Sequence, residues 1–492
     1  MIDLTINVKQ LEETIQRLRE RNIILPTFEQ MKNPIKFTPI KIQKELKKIG
    51  LWDVKSQNLF RINWKNQPIP KGGGFNEIPN YIELPESLTG VKARIIALVG
   101  KWFPTGSHKV GATYACLVPK LITGQFNPVS QKAVWPSTGN YCRGGAYNST
   151  LLACESIAIL PEEMSQERFN WLKTVAGEVI STPGCESNVK EIYDKCHELM
   201  AGPRGQKGEI VIFNQFDEFA NHLWHYEITG HAMEEVLNKE LKGDNFRGIA
   251  STTGSAGTIA SGDYLKEIYP HSKILAGEAL QCPTLLYNGY GGHRIEGIGD
   301  KHVPWIHNVK NTDLVVAVDD NDCIAVMRLF NEPNGHKFLQ EKGVEQSIIS
   351  QLHLLGISSI ANMIMAIKMA KYYEMSENDV IITVFTDSME LYQSRLQEQR
   401  KLFGNYTNSD AIRDYNSHIL GIKTDNLLEL SYIDKRRIHN LKYYTWIEQQ
   451  GKSLDELNRQ WYDSDNYWSE IHSLVSKIDE LIKETNEKVG LI

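Results

Sequence analysis

The chain has 492 residues, a net charge of −6, and 41% hydrophobic and 23% charged residues; that length calls for two or three domains, and the mild acidity gives no reason to expect nucleic acid or an anionic membrane as a partner. No stretch holds the ~18 consecutive apolar residues of a membrane span, and the opening MIDLTINVKQLEETIQRLRERN reads as an amphipathic helix, not a signal peptide. Seven cysteines scattered without metal-like spacing point to a reducing compartment, the cytoplasm, and to neither a disulfide framework nor a metal site.

From Leu4 to Gly50 the pattern predicts two charged helices joined by the proline-bearing linker ILPTFEQMKNPIKFTPI. The glycine-containing NQPIPKGGGFNEIPNYIELPESLTG that follows reads as loop, so residues 1–90 are expected to pack on a core as a helical and looped segment. From 91 to 395 short apolar runs alternate with helix-length segments: ARIIALVG, KAVWP, SIAILP, GEVISTPG, EIVIFN, RGIASTTG, SKILAGEA, LVVAVDD and DVIITVFTDS. Runs of that kind, each closing in a polar or glycine turn, suit strands buried on both faces of a largely parallel sheet. The class is α/β. Residues 396–492 are charged, aromatic-studded and helix-periodic, and are expected to form a helical extension without strands.

Open α/β sheets bind ligands outside the carboxyl ends of their strands, which directs attention to the loops. Lys109, in FPTGSHKVGATY, is either the first helical residue after a surface loop or an amine held for a cofactor aldehyde. Gly254-Ser255-Ala256-Gly257-Thr258 leads from a strand into a helix, where small residues let backbone N–H groups approach an anion; Thr258 adds a hydroxyl donor. The loop has neither P-loop nor dinucleotide spacing, and a plain glycine turn remains the competing reading. Ser137-Thr138-Gly139-Asn140 forms a carboxylate seat or a simple N-cap. Ser358 or Ser359 in LLGISSIAN, and Asp387 and Ser388 in FTDSMELY, line a site or merely close turns.

Taken together and in this order, the lysine turn, STGN loop, GSAGT cup and GISS turn resemble the cysteine synthase/cystathionine β-synthase group of pyridoxal-phosphate enzymes, fold type II with the tryptophan synthase β-like fold. ILPEEMSQERFNWLKTVAGEVISTPG, NQFDEFANHLWHYEITGHAMEEV and GEALQCPTLLYNGYGGHRIEGIGDKHVPW are similar to further stretches of that group, so the resemblance runs over residues 36–395. It implies two open twisted α/β subdomains in a catalytic core spanning 91–395, the smaller around 130–225, with 36–65 joining the larger.

By that resemblance Lys109 is the internal-aldimine lysine and general base, Gly254 to Thr258 hold the cofactor phosphate, and Asn140 binds the 3′ oxygen. Ser358 faces the pyridine nitrogen, with Ser359 as the near alternative. Ser137, Thr138, Gly139 and Gln215 grip the substrate carboxylate. The implied reaction is β-elimination or β-replacement on a β-substituted L-amino acid through an aminoacrylate, by a homodimer whose partner is its small-molecule amino-acid substrate. A dehydratase or ammonia-lyase releasing a 2-oxo acid and ammonia is the alternative, and a non-catalytic amino-acid binder is a third. Two departures from the group's pattern bear on substrate choice. His108 precedes the lysine, where a structural hydrogen bond competes with proton shuttling. Arg143 either faces solvent or reads a second acidic group. His293, His302 and Trp305 lie at either the site entrance or the surface.

Overall fold

The computed structural model describes residues 2–137, 139–185 and 187–491. All nine apolar runs form strands: β2 (Arg94–Val99), β3 (Lys132–Pro136), β4 (Glu155–Pro161), β5 (Glu178–Thr182), β6 (Ile210–Ile212), β7 (Asn245–Thr252), β8 (Lys273–Ala279), β9 (Leu314–Val318) and β10 (Asp379–Phe385). Two more strands interrupt segments read as strandless. β1 (Tyr81–Leu84) lies in the expected loop and β11 (Leu427–Glu429) in the C-terminal extension. Both are short antiparallel edges, β1 on β2 and β11 on β9, so neither shows a continuous apolar run.

The larger sheet runs β1-β2-β10-β7-β8-β9-β11, and its five inner strands pair in parallel. The smaller sheet, β5-β4-β3-β6, is wholly parallel. Parallel pairing buries both faces, which explains the fully buried β9 and β10. The helix Ile357–Tyr372, with fourteen of its sixteen residues buried, packs against the larger sheet. The architecture is therefore mixed α/β with mostly parallel sheets and a helical C-terminal region. None of the described helices is long and apolar enough to cross a membrane.

The expected linker after the first helix (Val8–Glu20) contains two short helices, Phe28–Lys32 and Pro34–Phe37. A capping box between Thr27 and Gln30 starts the first of them, and Pro34 opens the second at a position that needs no amide hydrogen. The last helix of the chain, Leu474–Val489, docks on this region. Asp479 accepts from the backbone N–H groups of Phe28 (2.7 Å) and Glu29 (3.1 Å), and Asn486 bonds both backbone groups of Leu25.

Candidate active site

The polypeptide leaves β2 through Pro104–Gly106, where Thr105 (φ 67°) and Gly106 (φ 68°) both take left-handed backbone before the helix Lys109–Ile122 begins. A β-branched residue there is strained, a cost tolerated where a turn must aim a functional side chain. The turn delivers Lys109, itself only 9% exposed, so that Nζ donates to Ser255 Oγ at 3.2 Å. Lys109 is the first helical residue, as one reading had it, but the turn before it is buried and not at the surface.

Ser255 belongs to the loop between β7 and the helix Ala260–Ile268. Within it Ala256 adopts φ 60°, which turns successive amides toward one side. A Cβ on Gly257 would sit 2.2 Å from Asn221 Oδ1, so only glycine fits. Asn221 in turn donates to Ser255 Oγ (3.0 Å) and to the Gln215 carbonyl (2.9 Å). Gln215 Nε2 reaches Ser137 Oγ at 3.4 Å, and Ser137 Oγ accepts from the Gly139 amide at 3.0 Å. One chain of contacts thus joins lysine turn, small-residue cup and STGN loop. Thr138 lies outside the described residues.

Asn140 starts the next helix, and its Nδ2 donates to Asp387 Oδ2 at 2.6 Å. Asp387, just past β10, also accepts from Tyr392 OH (2.7 Å), which accepts from Arg168 (2.9 Å). Arg168 pairs with Glu296 at 2.7 Å with both side chains almost wholly buried, and Glu296 pairs again with Arg395. Burial raises the Asp387 carboxyl above its ordinary range, against the opposing pull of Arg168. A Cβ on Gly356 would fall 1.9 Å from Asp387 Oδ1, which makes the glycine of GISS a space requirement of this carboxylate. Beyond it the two serines differ. Ser359 Oγ donates to the Asp387 carbonyl (3.4 Å), whereas Ser358 Oγ is buried with no hydrogen-bond partner.

His108 is fully buried. Its Nδ1 lies 3.3 Å from the Thr386 carbonyl and its Nε2 3.0 Å from Thr258 Oγ1. A carbonyl can only accept, so Nδ1 carries the hydrogen and Nε2 accepts from Thr258. The Thr258 hydroxyl is therefore committed to His108, which leaves its backbone N–H for an anion. Burial, reinforced by the charge of Lys109, pushes the imidazole down to about 3. It stays neutral, and the proton-shuttle reading gives way to the structural one.

Arg143 does not face solvent. It is buried between the rings of Trp52 (5.2 Å) and Trp171 (4.9 Å), with Nη1 3.5 Å from Asn140 Oδ1. Burial, then the neighbouring Arg168 charge, lowers it to about 10. His293 and Trp305 are also buried rather than superficial. His293 Nε2 contacts the Gly299 carbonyl, and Trp305 packs near Trp446 of the C-terminal extension. Half-buried His302 contacts Tyr193 OH at 3.1 Å.

Sequence reading missed Asp300. Burial lifts its carboxyl to about 8, the charge of Lys109 opposes the shift, and Oδ2 has no hydrogen-bond partner. Its only sequence signal is an acid inside the glycine-rich GIGDK stretch. A surface groove of about 820 Å³ contains none of these side chains, so convergent chemistry and not volume locates the site.

An amine beside a small-residue cup, a spare buried hydroxyl and an asparagine thus meet at the carboxyl ends of parallel strands in an α/β fold. The family profile described as "Pyridoxal-phosphate dependent enzyme" matches residues 90–339, just over half of the chain, and the protein belongs to that family. It is a pyridoxal-phosphate-dependent enzyme. Cystathionine beta-synthase of Saccharomyces cerevisiae is 26% identical over 353 residues, covering 70% of this chain but 65% of that protein, less than two thirds of its length. A probable cysteine synthase of Bacillus subtilis is 28% identical, over 59% of this chain and 85% of that one. Among solved structures, O-acetyl serine sulfhydrylase isoform 3 of Entamoeba histolytica superposes with a TM-score of 0.56 at 20% identity, over 70% of this chain and 94% of that one. A hydrogen sulfide-producing enzyme of Fusobacterium nucleatum gives 0.52 at 23%, over 69% and 93%. These likenesses share the fold.

The residues present fit the cofactor. The unpartnered Ser358 hydroxyl and the cup formed around Ala256 are the polar features that a pyridine ring and a phosphate ester require.

Proposed function

We propose that the enzyme carries out β-elimination or β-replacement on a β-substituted L-amino acid, with sulfur-containing substrates first. The observation carrying this is the Lys109 amine 3.2 Å from Ser255 Oγ in the cup, with the spare Ser358 hydroxyl in the same site. Pyridoxal phosphate, when bound, supplies the electron sink for the pair left at Cα after proton loss. Residues 254–258 would hold its phosphate through backbone N–H groups, Asn140 would offer its second amide hydrogen to the ring oxygen, and Ser358 would partner the ring nitrogen. A neutral hydroxyl there leaves the ring a weaker sink than a carboxylate would, which keeps electron density near Cα and favours expulsion of a β-substituent.

Ser137, Thr138, Gly139 and Gln215 orient the substrate carboxylate, and Lys109 takes the Cα proton as general base. Asp300, neutral at pH 7, stores a proton within electrostatic reach of that amine. His108 positions Thr258, and Arg143 selects a second acidic group on the substrate. The names of the relatives, cysteine synthase and cystathionine beta-synthase, agree with sulfur chemistry. Seven free thiols suit the cytoplasm, and we place the enzyme there as a homodimer.

Absorbance tests the assignment. The purified enzyme should show a band on the order of 410 nm that vanishes in Lys109→Ala, along with turnover. Offered L-cysteine or O-acetyl-L-serine, the wild type should release sulfide or acetate. A colourless protein that never takes up the cofactor refutes the reading, and ammonia without sulfide or acetate moves it to the ammonia-lyase class.

A further inference from the structure

The C-terminal extension brings a histidine to the back of the cup. Its helix Ser464–His472 lies against the core so that His472 Nε2 is 3.0 Å from His222 Nε2. His222 sits on the core helix Phe219–Trp224. Asp263, on the helix that follows the cup, places Oδ2 3.9 Å from the same His222 nitrogen. All three donor atoms fall within 4.8 Å of one another. Asn308 and Asn311 donate to the two oxygens of Asp263, at 3.0 and 2.5 Å, the kind of outer partner that fixes a ligating carboxylate. The His472 ring is held by stacking on Tyr226, with centroids 3.5 Å apart. A groove of about 670 Å³, bordered by Lys266, Glu267 and Ser469, opens onto Asp263 and His472 and gives access from solvent.

Two neutral imidazoles facing each other at this distance share one hydrogen, Nε2–H of one donating to Nε2 of the other. Two imidazoles with a carboxylate are also a donor set for zinc and its d-block neighbours. Tetrahedral zinc with bonds of ~2.0–2.1 Å keeps its nitrogens ~3.3 Å apart. To meet that spacing His472, half-buried at the last position of its helix, withdraws by about 0.3 Å, and Asp263 Oδ2 approaches His222 Nε2 by about 0.6 Å. The shared hydrogen moves to Nδ1 of its own ring, both Nε2 lone pairs then face the cation, and any proton held by the Asp263 carboxyl, which burial raises to about 7, goes to solvent.

We propose that His222, Asp263 and His472 bind a divalent zinc-class cation that clasps the C-terminal extension to the core, with a fourth position open to the groove for water. The site sits behind the cup. Asn221, adjacent to His222, donates to Ser255 Oγ, and Asp263 lies on the helix that begins just after the 254–258 loop. The cation therefore pins the two elements that shape the cup, without touching the lysine.

The test uses chelator-treated full-length holoenzyme, titrated calorimetrically with Zn(II) and, in parallel, with Co(II) as a spectroscopic probe. One saturable equivalent per chain is expected, with the intense visible bands of four-coordinate cobalt. His472→Gln and Asp263→Asn should each weaken binding at least ~10-fold while keeping the circular dichroism and cofactor band of the wild type. Absence of saturable binding overturns the proposal, as does binding undiminished in both variants. Should either variant misfold, the cobalt spectrum of the unsubstituted enzyme decides, because a weak six-coordinate spectrum also overturns it. Neither result bears on the lysine chemistry, which is read separately from the cofactor band.

Discussion

Ser358 and Ser359 stand side by side at one helix start, and only one of their hydroxyls is spare. Ser359 Oγ is spent on the Asp387 carbonyl, while Ser358 Oγ has no partner in the protein. One hydrogen bond lost at a buried polar group is worth ~1–3 kcal/mol, so Ser358→Ala should cut turnover on the order of 10–100-fold. Ser359→Ala should cost less than about threefold in turnover. Steady-state kinetics on the two variants, with cofactor occupancy measured by absorbance, checks the contrast; equal losses would reassign the pyridine partner. Asp300 offers a second residue-level prediction. Its carboxyl titrates near 8 because it is buried, so it is protonated at pH 7 and loses that proton above 8. The pH profile of kcat/KM, which reports the free enzyme, should carry an alkaline limb near pH 8 in the wild type. Asp300→Asn, which cannot ionise, should lose that limb, and a profile unchanged by the substitution would remove Asp300 from proton handling.

At the level of elements, the two ends of the chain are tied by one carboxylate. Asp479 of the last helix caps the first turn of Phe28–Lys32 through two backbone N–H groups, work that an N-cap side chain ordinarily does from within its own helix. Asp479→Ala should therefore destabilise the protein by ~1–2 kcal/mol, seen as a lower urea midpoint, while the cofactor band is kept. The same contrast between local and remote partners explains what the sequence made legible. The nine strands β2 to β10 announced themselves as apolar runs because they pair in parallel, which buries both faces of the inner ones; β5 and β6, the edges of the smaller sheet, are only partly buried. β1 and β11, four- and three-residue edges, carried no such signature. Lys109, the cup and the STGN and GISS loops were readable because turn chemistry is local and small residues are conspicuous. Asp387, Tyr392, Arg168 and Glu296 were not readable as a network, since ordinary polar and charged residues from distant segments meet there, Arg168 and Tyr392 being 224 positions apart. The burial of Arg143 between Trp52 and Trp171 was equally hidden, because both rings come from outside its own helix.

For the whole molecule, the buried ionisable groups set an expected pH optimum of stability. His108, His307 and His439 are pushed down to about 3 by burial, and His222 and His225 are also held well below their usual value. Unfolding lets these five rings take up protons below pH ~6.5, so their neutral burial favours the folded state increasingly as pH rises to that point. Glu278 and Asp300 act in the opposite sense. Each is raised to about 8 by burial, so the folded chain holds two protons that the unfolded chain releases near pH ~4. Stability from these two falls as pH climbs from ~4 to ~8. Lys442 is buried against the carbonyls of Trp305 and His307 and the Gln460 side chain, which accept its three hydrogen bonds, and burial lowers it below its usual value. The lowered rings outweigh the raised carboxyls below pH ~6.5; above it the rings no longer contribute, while the carboxyls, Asp263 at about 7 among them, still do. The urea midpoint should therefore peak near pH ~6.5 and fall by pH 8, at ~1.4 kcal/mol per pH unit for one net proton. Asp300→Asn removes one of the raised carboxyls, so its midpoint should fall less steeply than that of the wild type from pH 6.5 to 8. A wild-type midpoint that rises across that interval would mean that Glu278 and Asp300 are ionised in the folded protein.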